Sequence, residues 1–130
     1  MTFLTILAVV ILGALALAVA GLVLFTLRIA RRVEAALPPQ GRFIEIDGTR
    51  LHYVDKGAGP AIVMIHGLAG HVRHFTHSLA DQLAGDFRLI IVDRPGCGYS
   101  TRAPGASARL SAQAETLAKL IRSLGLERPL

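Results

Sequence analysis

From Phe3 to Leu27 the chain runs for 25 residues without a charge, and only Thr5 and Thr26 are polar. A stretch this long and this apolar has few ways to fold. As a helix it satisfies its own backbone groups and reaches roughly 37 Å at about 1.5 Å per residue, enough to cross a hydrocarbon core of about 30 Å with some tilt. Arg28, Arg31 and Arg32 follow it, and nothing charged precedes it except the amino terminus. A secretory signal peptide has a basic start and a shorter apolar core of about 7 to 15 residues. Ala18-Val19-Ala20 imitates a cleavage site, but the start is not basic and the core is too long. The run therefore predicts an uncleaved single-pass anchor over residues 1–32, with its basic flank included. The lipid bilayer is its partner through Phe3 to Leu27. Arginines on the C-terminal side alone place that side in the cytoplasm by the positive-inside rule.

The anchor also explains the composition. Hydrophobic residues make up 52% of the 130 positions, and the formal net charge is +5. Three of those charges are the flanking arginines. From Val33 onward there are 11 Lys and Arg against 9 Asp and Glu, so the remainder is nearly balanced. With aromatics at 5% and no basic stripe, nucleic acid is not an expected partner. Cys97 is the only cysteine, which excludes an internal disulfide and a cysteine metal cluster. Between two glycines it reads as a small residue tolerated in a turn rather than a reactive thiol.

Past the anchor, residues 33–41 form a linker. Ala30 to Leu37 can continue as helix until Pro38-Pro39-Gln40-Gly41 breaks it. Residues 42–130 form the globular part. Phe43, Ile44 and Ile46 precede Asp47-Gly48, and Leu51, Tyr53 and Val54 follow, the pattern of a tight β-hairpin. Ala61–Ile65 is a continuous apolar run and Phe87–Val92 is one but for Arg88, as in strands buried on both faces of a parallel sheet. Between them Phe75, Leu79 and Leu83 recur at helical spacing, with Gly85 placed to close the helix through positive φ. A second helix carries Ala114, Leu117, Ile121 and Leu124, with Ser111 as its expected N-cap and Gly125 at its end. The order is hairpin, strand, helix, strand, helix.

Two turns hold the residues that bear on chemistry. His66-Gly67-Leu68 leaves the first apolar strand, and Asp93-Arg94-Pro95-Gly96-Cys97-Gly98-Tyr99-Ser100 leaves the second. Gly96-Cys97-Gly98 is not the start of a dinucleotide-binding Gly-x-Gly-x-x-Gly, because Thr101 stands at the third glycine and a proline follows the strand. His71, His74 and His77 are spaced three apart, but only Asp81 offers a nearby carboxylate, so they read as a polar helix start and no metal is expected.

Together the two turns, in this order and with a helix between them, resemble the N-terminal portion of the α/β-hydrolase fold family. The resemblance covers about Arg42 to Leu130. It implies an α/β fold, the N-terminal part of an α/β-hydrolase sheet preceded by one transmembrane helix, and no cofactor. In that family the His-Gly-x turn supplies one oxyanion-hole N–H, here from Leu68, with Gly67 shaping the turn and His66 structural. Asp93, Arg94, Gly96, Gly98 and Ser100 correspond to the loop beside the active-site mouth. The family's nucleophile, acid and base follow the fifth strand, and no Gly-x-Ser-x-Gly elbow occurs in the chain. Gly105-Ala106-Ser107-Ala108-Arg109 lacks the last glycine and follows no strand. No catalytic residue is therefore expected within these positions. The residue after His-Gly-x is Ala69 rather than the proline common in epoxide hydrolases and haloalkane dehalogenases, which leans toward serine esterases and carbon–carbon bond hydrolases. The expectation is an N-terminal fragment of a membrane-anchored hydrolase cleaving an ester, amide or C–C bond in a small molecule. The alternatives are a truncated non-catalytic membrane-tethered domain, or a short protein in which the anchor is the function.

Overall fold

The computed structural model describes residues 2–130; Met1, which the anchor reading includes, lies outside them. The chain divides into two compact units, Met1–Pro38 and Pro39–Leu130.

The first unit is one helix, α1 (Phe3–Ala36), 34 residues long and with none of them buried. The Thr2 side chain accepts a hydrogen bond from the Thr5 N–H at its start. Leu37 N–H still reaches the Val33 carbonyl at 2.9 Å, and the two prolines that follow cannot continue the ladder. A helix that is apolar all round needs an apolar surrounding. Among the described residues α1 is the one helix long and apolar enough to cross a membrane.

The second unit is an α/β fold built on a four-stranded mixed sheet. Strands β1 (Arg42–Ile46) and β2 (Thr49–Lys56) form an antiparallel hairpin with Ile46 opposite Thr49. Asp47 and Gly48 turn the corner with φ of 49° and 73°, the paired positive values a two-residue hairpin loop requires. Strand β3 (Ala61–Ile65) is followed by two short helices, α2 (Arg73–Thr76) and α3 (Leu79–Leu83). Strand β4 (Arg88–Val92) and helix α4 (Leu110–Ser123) complete the unit. The sheet order is β1-β2-β4-β3, so β4 lies between β2, antiparallel to it, and β3, parallel to it.

Two cores follow from the period-2 alternation of β4. Ile90 and Val92 join Ile46, Leu51 and Tyr53 beneath Leu117 and Leu120 of α4. Leu89 and Ile91 face the other way, against Val72, Ala80 and the half-buried Phe75 and Leu83 of the α2–α3 region. Leu89 to Val92 of β4 are continuously apolar because neighbouring residues serve different cores.

Four expectations need correction. β3 is only half-buried, and Ile65 is 47% exposed, because β3 borders the sheet. On its outer side the backbone of Leu130 alone bonds to it, donating to the Ala61 carbonyl and accepting from the Val63 N–H, both at 2.9 Å. The helix expected through Phe75, Leu79 and Leu83 is two short helices, because Ser78 leaves helical backbone at φ −152°. Gly85 does not take positive φ. Instead Asp86 and Phe87 N–H both donate to the Leu83 carbonyl and close α3. Ser111 is inside the first turn of α4; Arg109 holds the cap position in extended backbone, and Ser107 Oγ accepts its N–H at 3.2 Å.

The buried faces predict unequal costs along α4. Leu120 is fully buried and Leu110 is 73% exposed. Leu120→Ala should cost about 2 to 5 kcal/mol through lost burial and a residual cavity, whereas Leu110→Ala should stay within about 0.5 kcal/mol. Urea unfolding of the detergent-solubilised chain checks this, with a lower midpoint and an unchanged slope for Leu120→Ala alone.

Candidate functional site

The C-terminal ends of the parallel strands β3 and β4 bring the two sequence turns side by side. At their centre is the Asp93 carboxylate, fully buried at the end of β4. Oδ1 accepts the Val72 N–H at 2.8 Å, and Oδ2 accepts the Tyr99 N–H at 3.0 Å. Oδ2 also lies 2.8 Å from Nδ1 of His52, a fully buried histidine on β2. The other nitrogen of His52 meets the Gln40 carbonyl at 2.9 Å. Both ring nitrogens thus face oxygen atoms, and His52 and Asp93 form a buried, hydrogen-bonded pair. The ring is flanked by Phe43 and Tyr99, with centroids 5.1 and 5.5 Å away. Burial pushes the Asp93 carboxyl up, but the His52 ring and the Tyr99 and Val72 N–H groups together outweigh it and leave it below its ordinary value.

The rest of the second turn is tied to β2. Ser100 is buried; its Oγ donates to the Asp93 carbonyl at 2.7 Å and accepts the His52 N–H at 2.9 Å. Thr101 N–H donates to the Arg50 carbonyl at 2.9 Å, and Arg50 N–H returns to Thr101 Oγ1 at 3.1 Å. Gly98 has φ 52°, and a Cβ there would lie 2.3 Å from the Asp93 carboxylate carbon. Gly98 is therefore glycine to make room for the carboxylate. Asp93 and Ser100 are interior groups that hold the loop from beneath, while Gly96 and Gly98 are on its exposed side.

His66 is buried as well, but its hydrogen bonds differ from those of His52. Nε2 accepts the Arg94 N–H at 3.1 Å, and Nδ1 lies 2.9 Å from the Gly67 carbonyl. This pattern needs a neutral ring with its proton on Nδ1. Asp93 Oδ1 is 4.0 Å from Nε2, beyond hydrogen-bond reach. Arg94 Nη2 donates to the same Gly67 carbonyl at 3.2 Å, and Gly70 N–H reaches it at 3.4 Å. The Leu68 side chain is 95% exposed, and its N–H meets no acceptor among the described residues. The need for glycine in this turn falls on Gly70, where a Cβ would come within 2.9 Å of the His66 ring; at Gly67 the space is open. Ala69 takes φ 55°, a value proline cannot adopt.

The structure thus brings His66, Gly67, Leu68, Asp93, Arg94 and Ser100 into one cluster. His71, His74 and His77 do not join it. The His71 and His74 rings are 5.1 Å apart, and His71 Nδ1 is occupied by the Arg73 N–H at 3.2 Å. Among the described residues no group of three His, Cys, Asp or Glu is placed to hold a metal. His52 and Gln40 were not legible as partners of the cluster. The one signal for His52 is a histidine set between Leu51 and Tyr53 in β2.

Beside the cluster, Ile65, Arg94, Leu110, Gln113, Ala114 and Ile121 line an open apolar groove between β3 and α4. Arg94 Nε and Gln113 Oε1 are buried there without a partner among the described residues.

The family model described as the alpha/beta hydrolase fold matches residues 60–130. Haloalkane dehalogenase 2 of Mycobacterium tuberculosis is 31% identical over 94 residues, covering 70% of this chain and 32% of that protein. Lipase 1 of Psychrobacter immobilis is 37% identical over 81 residues, covering 61% of this chain and 25% of the lipase. The crystal structure of a bacterial membrane phospholipase A superposes with a TM-score of 0.65 at 26% identity, over 98% of this chain and 42% of that one. The chain spans about a third of the haloalkane dehalogenase and a quarter of the lipase.

The buried pair makes the cluster acid-sensitive. The Asp93 carboxyl is depressed in the folded chain, so its stabilisation is fully present above the ordinary carboxylate range. That stabilisation is lost as pH falls through the folded-state value. Asp93→Asn should remove about 1 to 3 kcal/mol at neutral pH by leaving buried hydrogen-bond partners of the carboxylate imperfectly satisfied, and should flatten the acid limb of a stability-versus-pH curve. Gly98→Ala should be comparably damaging, combining backbone strain with collision against the carboxylate. Thermal melts from neutral pH into acid check both.

Proposed function

The chain belongs to the α/β-hydrolase fold family, and from that premise we propose that it forms the anchored, oxyanion-side part of a membrane hydrolase. In this reading residues 1–32 are the anchor, 33–41 the linker and 42–130 the hydrolase part. The nucleophile, acid and base lie outside these 130 residues, where the family's chain order would put them. The substrate is a small molecule with an attackable carbonyl, an ester, amide or activated C–C bond. The observation that carries this reading is the unengaged Leu68 N–H at the end of β3. An N–H without an internal acceptor at that position suits the oxygen of an attacked carbonyl, whose developing negative charge it would stabilise.

The bond class leans on Ala69. Its positive φ gives this turn a shape incompatible with proline, unlike the turn expected of epoxide hydrolases and haloalkane dehalogenases. This favours acyl chemistry of the lipase and esterase type. Membrane tethering is supported by the length of α1 and its exposed apolar surface. The likeness to the membrane phospholipase A is in keeping with it, since 98% of the chain cannot be covered without the helical unit. The arginines after Leu27 favour a cytoplasmic globular part.

Two measurements test the proposal. The purified 130-residue chain should hydrolyse a simple aryl ester no faster than buffer. Turnover that disappears in Ser100→Ala would mean that the chain holds a nucleophile and the division of roles is wrong. In sealed inverted membrane vesicles, added protease should digest residues 42–130 and spare α1. Full protection in that orientation would place the globular part on the opposite side.

A further inference from the structure

We propose that His66 and Arg94 are positioning residues that aim the Leu68 N–H by gripping the other end of its peptide. The inference rests on the oxyanion reading of Leu68 and extends it. Gly67 C=O and Leu68 N–H belong to one peptide group, which is planar and trans, so the two bonds point in opposite directions. Whatever fixes the carbonyl therefore fixes the N–H. His66 Nδ1 is 2.9 Å from the Gly67 carbonyl oxygen, and Arg94 Nη2 is 3.2 Å from it. The Gly70 N–H approaches the same oxygen at 3.4 Å. Three donors on one carbonyl exceed what a turn needs for its own closure, since a single Gly70 N–H already closes it.

The grip is itself anchored. His66 is buried, and its Nε2 accepts the Arg94 N–H, so the ring cannot turn its Nδ1 proton away without losing that bond. Arg94 follows Asp93, whose carboxylate is fixed by His52, Val72 and Tyr99. The chain of contacts thus runs from the buried His52–Asp93 pair through the Arg94 backbone and the His66 ring to the Gly67 oxygen. It ends at the Leu68 N–H, which meets no acceptor among the described residues. Hydrogen bonds accepted by a carbonyl also polarise its peptide and strengthen the N–H on the far side. A cationic Arg94 guanidinium does this more than a neutral donor would.

The test uses the full chain, isotope-labelled and solubilised in detergent, read by NMR. Variants are Arg94→Met, which removes the guanidinium from a half-exposed side chain, Arg94→Lys, which returns a cationic donor, and His66→Phe. The Gly67 carbonyl carbon should move upfield in Arg94→Met and move back in part in Arg94→Lys, with the rest of the spectrum preserved. Phenylphosphonate is then titrated as an oxyanion probe. The Leu68 amide of the parent should shift saturably, and Arg94→Met should bind about fivefold more weakly, the scale of one hydrogen bond. An unchanged Gly67 carbonyl in a folded Arg94→Met overturns the positioning role, however Leu68 responds to the probe. A carbonyl shift without any response of the parent Leu68 amide upholds the grip and overturns the oxyanion reading. If His66→Phe does not fold, the Arg94 pair alone decides.

Discussion

The fold around the two turns depends on one buried carboxylate. Asp93 carries no water-facing surface, yet it is kept charged by a histidine and two backbone N–H groups drawn from three separate stretches of chain. A buried ion is tolerated only when its partners are in place together. The start of α2, the middle of β2 and the loop after β4 are thereby fixed relative to one another. The second nitrogen of His52 extends the hold to Gln40 in the linker.

The two buried histidines divide their tasks by their partners. His52 bridges the Asp93 carboxylate and the Gln40 carbonyl. His66, between an N–H and a carbonyl, donates from one nitrogen and accepts at the other. The first holds the carboxylate, and the second joins the residue after it to the Gly67 peptide.

Much of this architecture was readable before any coordinates. Asp47-Gly48 specified the hairpin, because few other dipeptides supply two positive φ values in succession. The two apolar runs specified neighbouring strands, and the turns after them placed the cluster. What escaped reading was long-range. Nothing local marks His52 as the partner of a residue 41 positions away, because the carboxylate–imidazole pair exists only once β2 lies beside β4. Gly67 looked like the glycine the turn required, but the collision that demands one occurs at Gly70 against the His66 ring. Ser111 resembled a cap by type alone, while Ser107 performs a related task from outside the helix. Such errors arise wherever a residue's role is set by what packs over it rather than by its own backbone preference.

The sheet order has a kinetic meaning. β2 and β3 are consecutive in sequence but are never neighbours, because β4 lies between them. Both pair with β4, which is made after them, so pairing β2 directly with β3 would be the quicker local solution, and a wrong one. β4 then closes loops of some 27 to 39 residues at once, judged from its partners Ala61–Arg88 and Tyr53–Val92. Contacts of that range slow folding relative to a simple meander. The β1–β2 hairpin is local in sequence, but the carboxylate that organises the turns follows β4, so the cluster is complete only once β4 is in place.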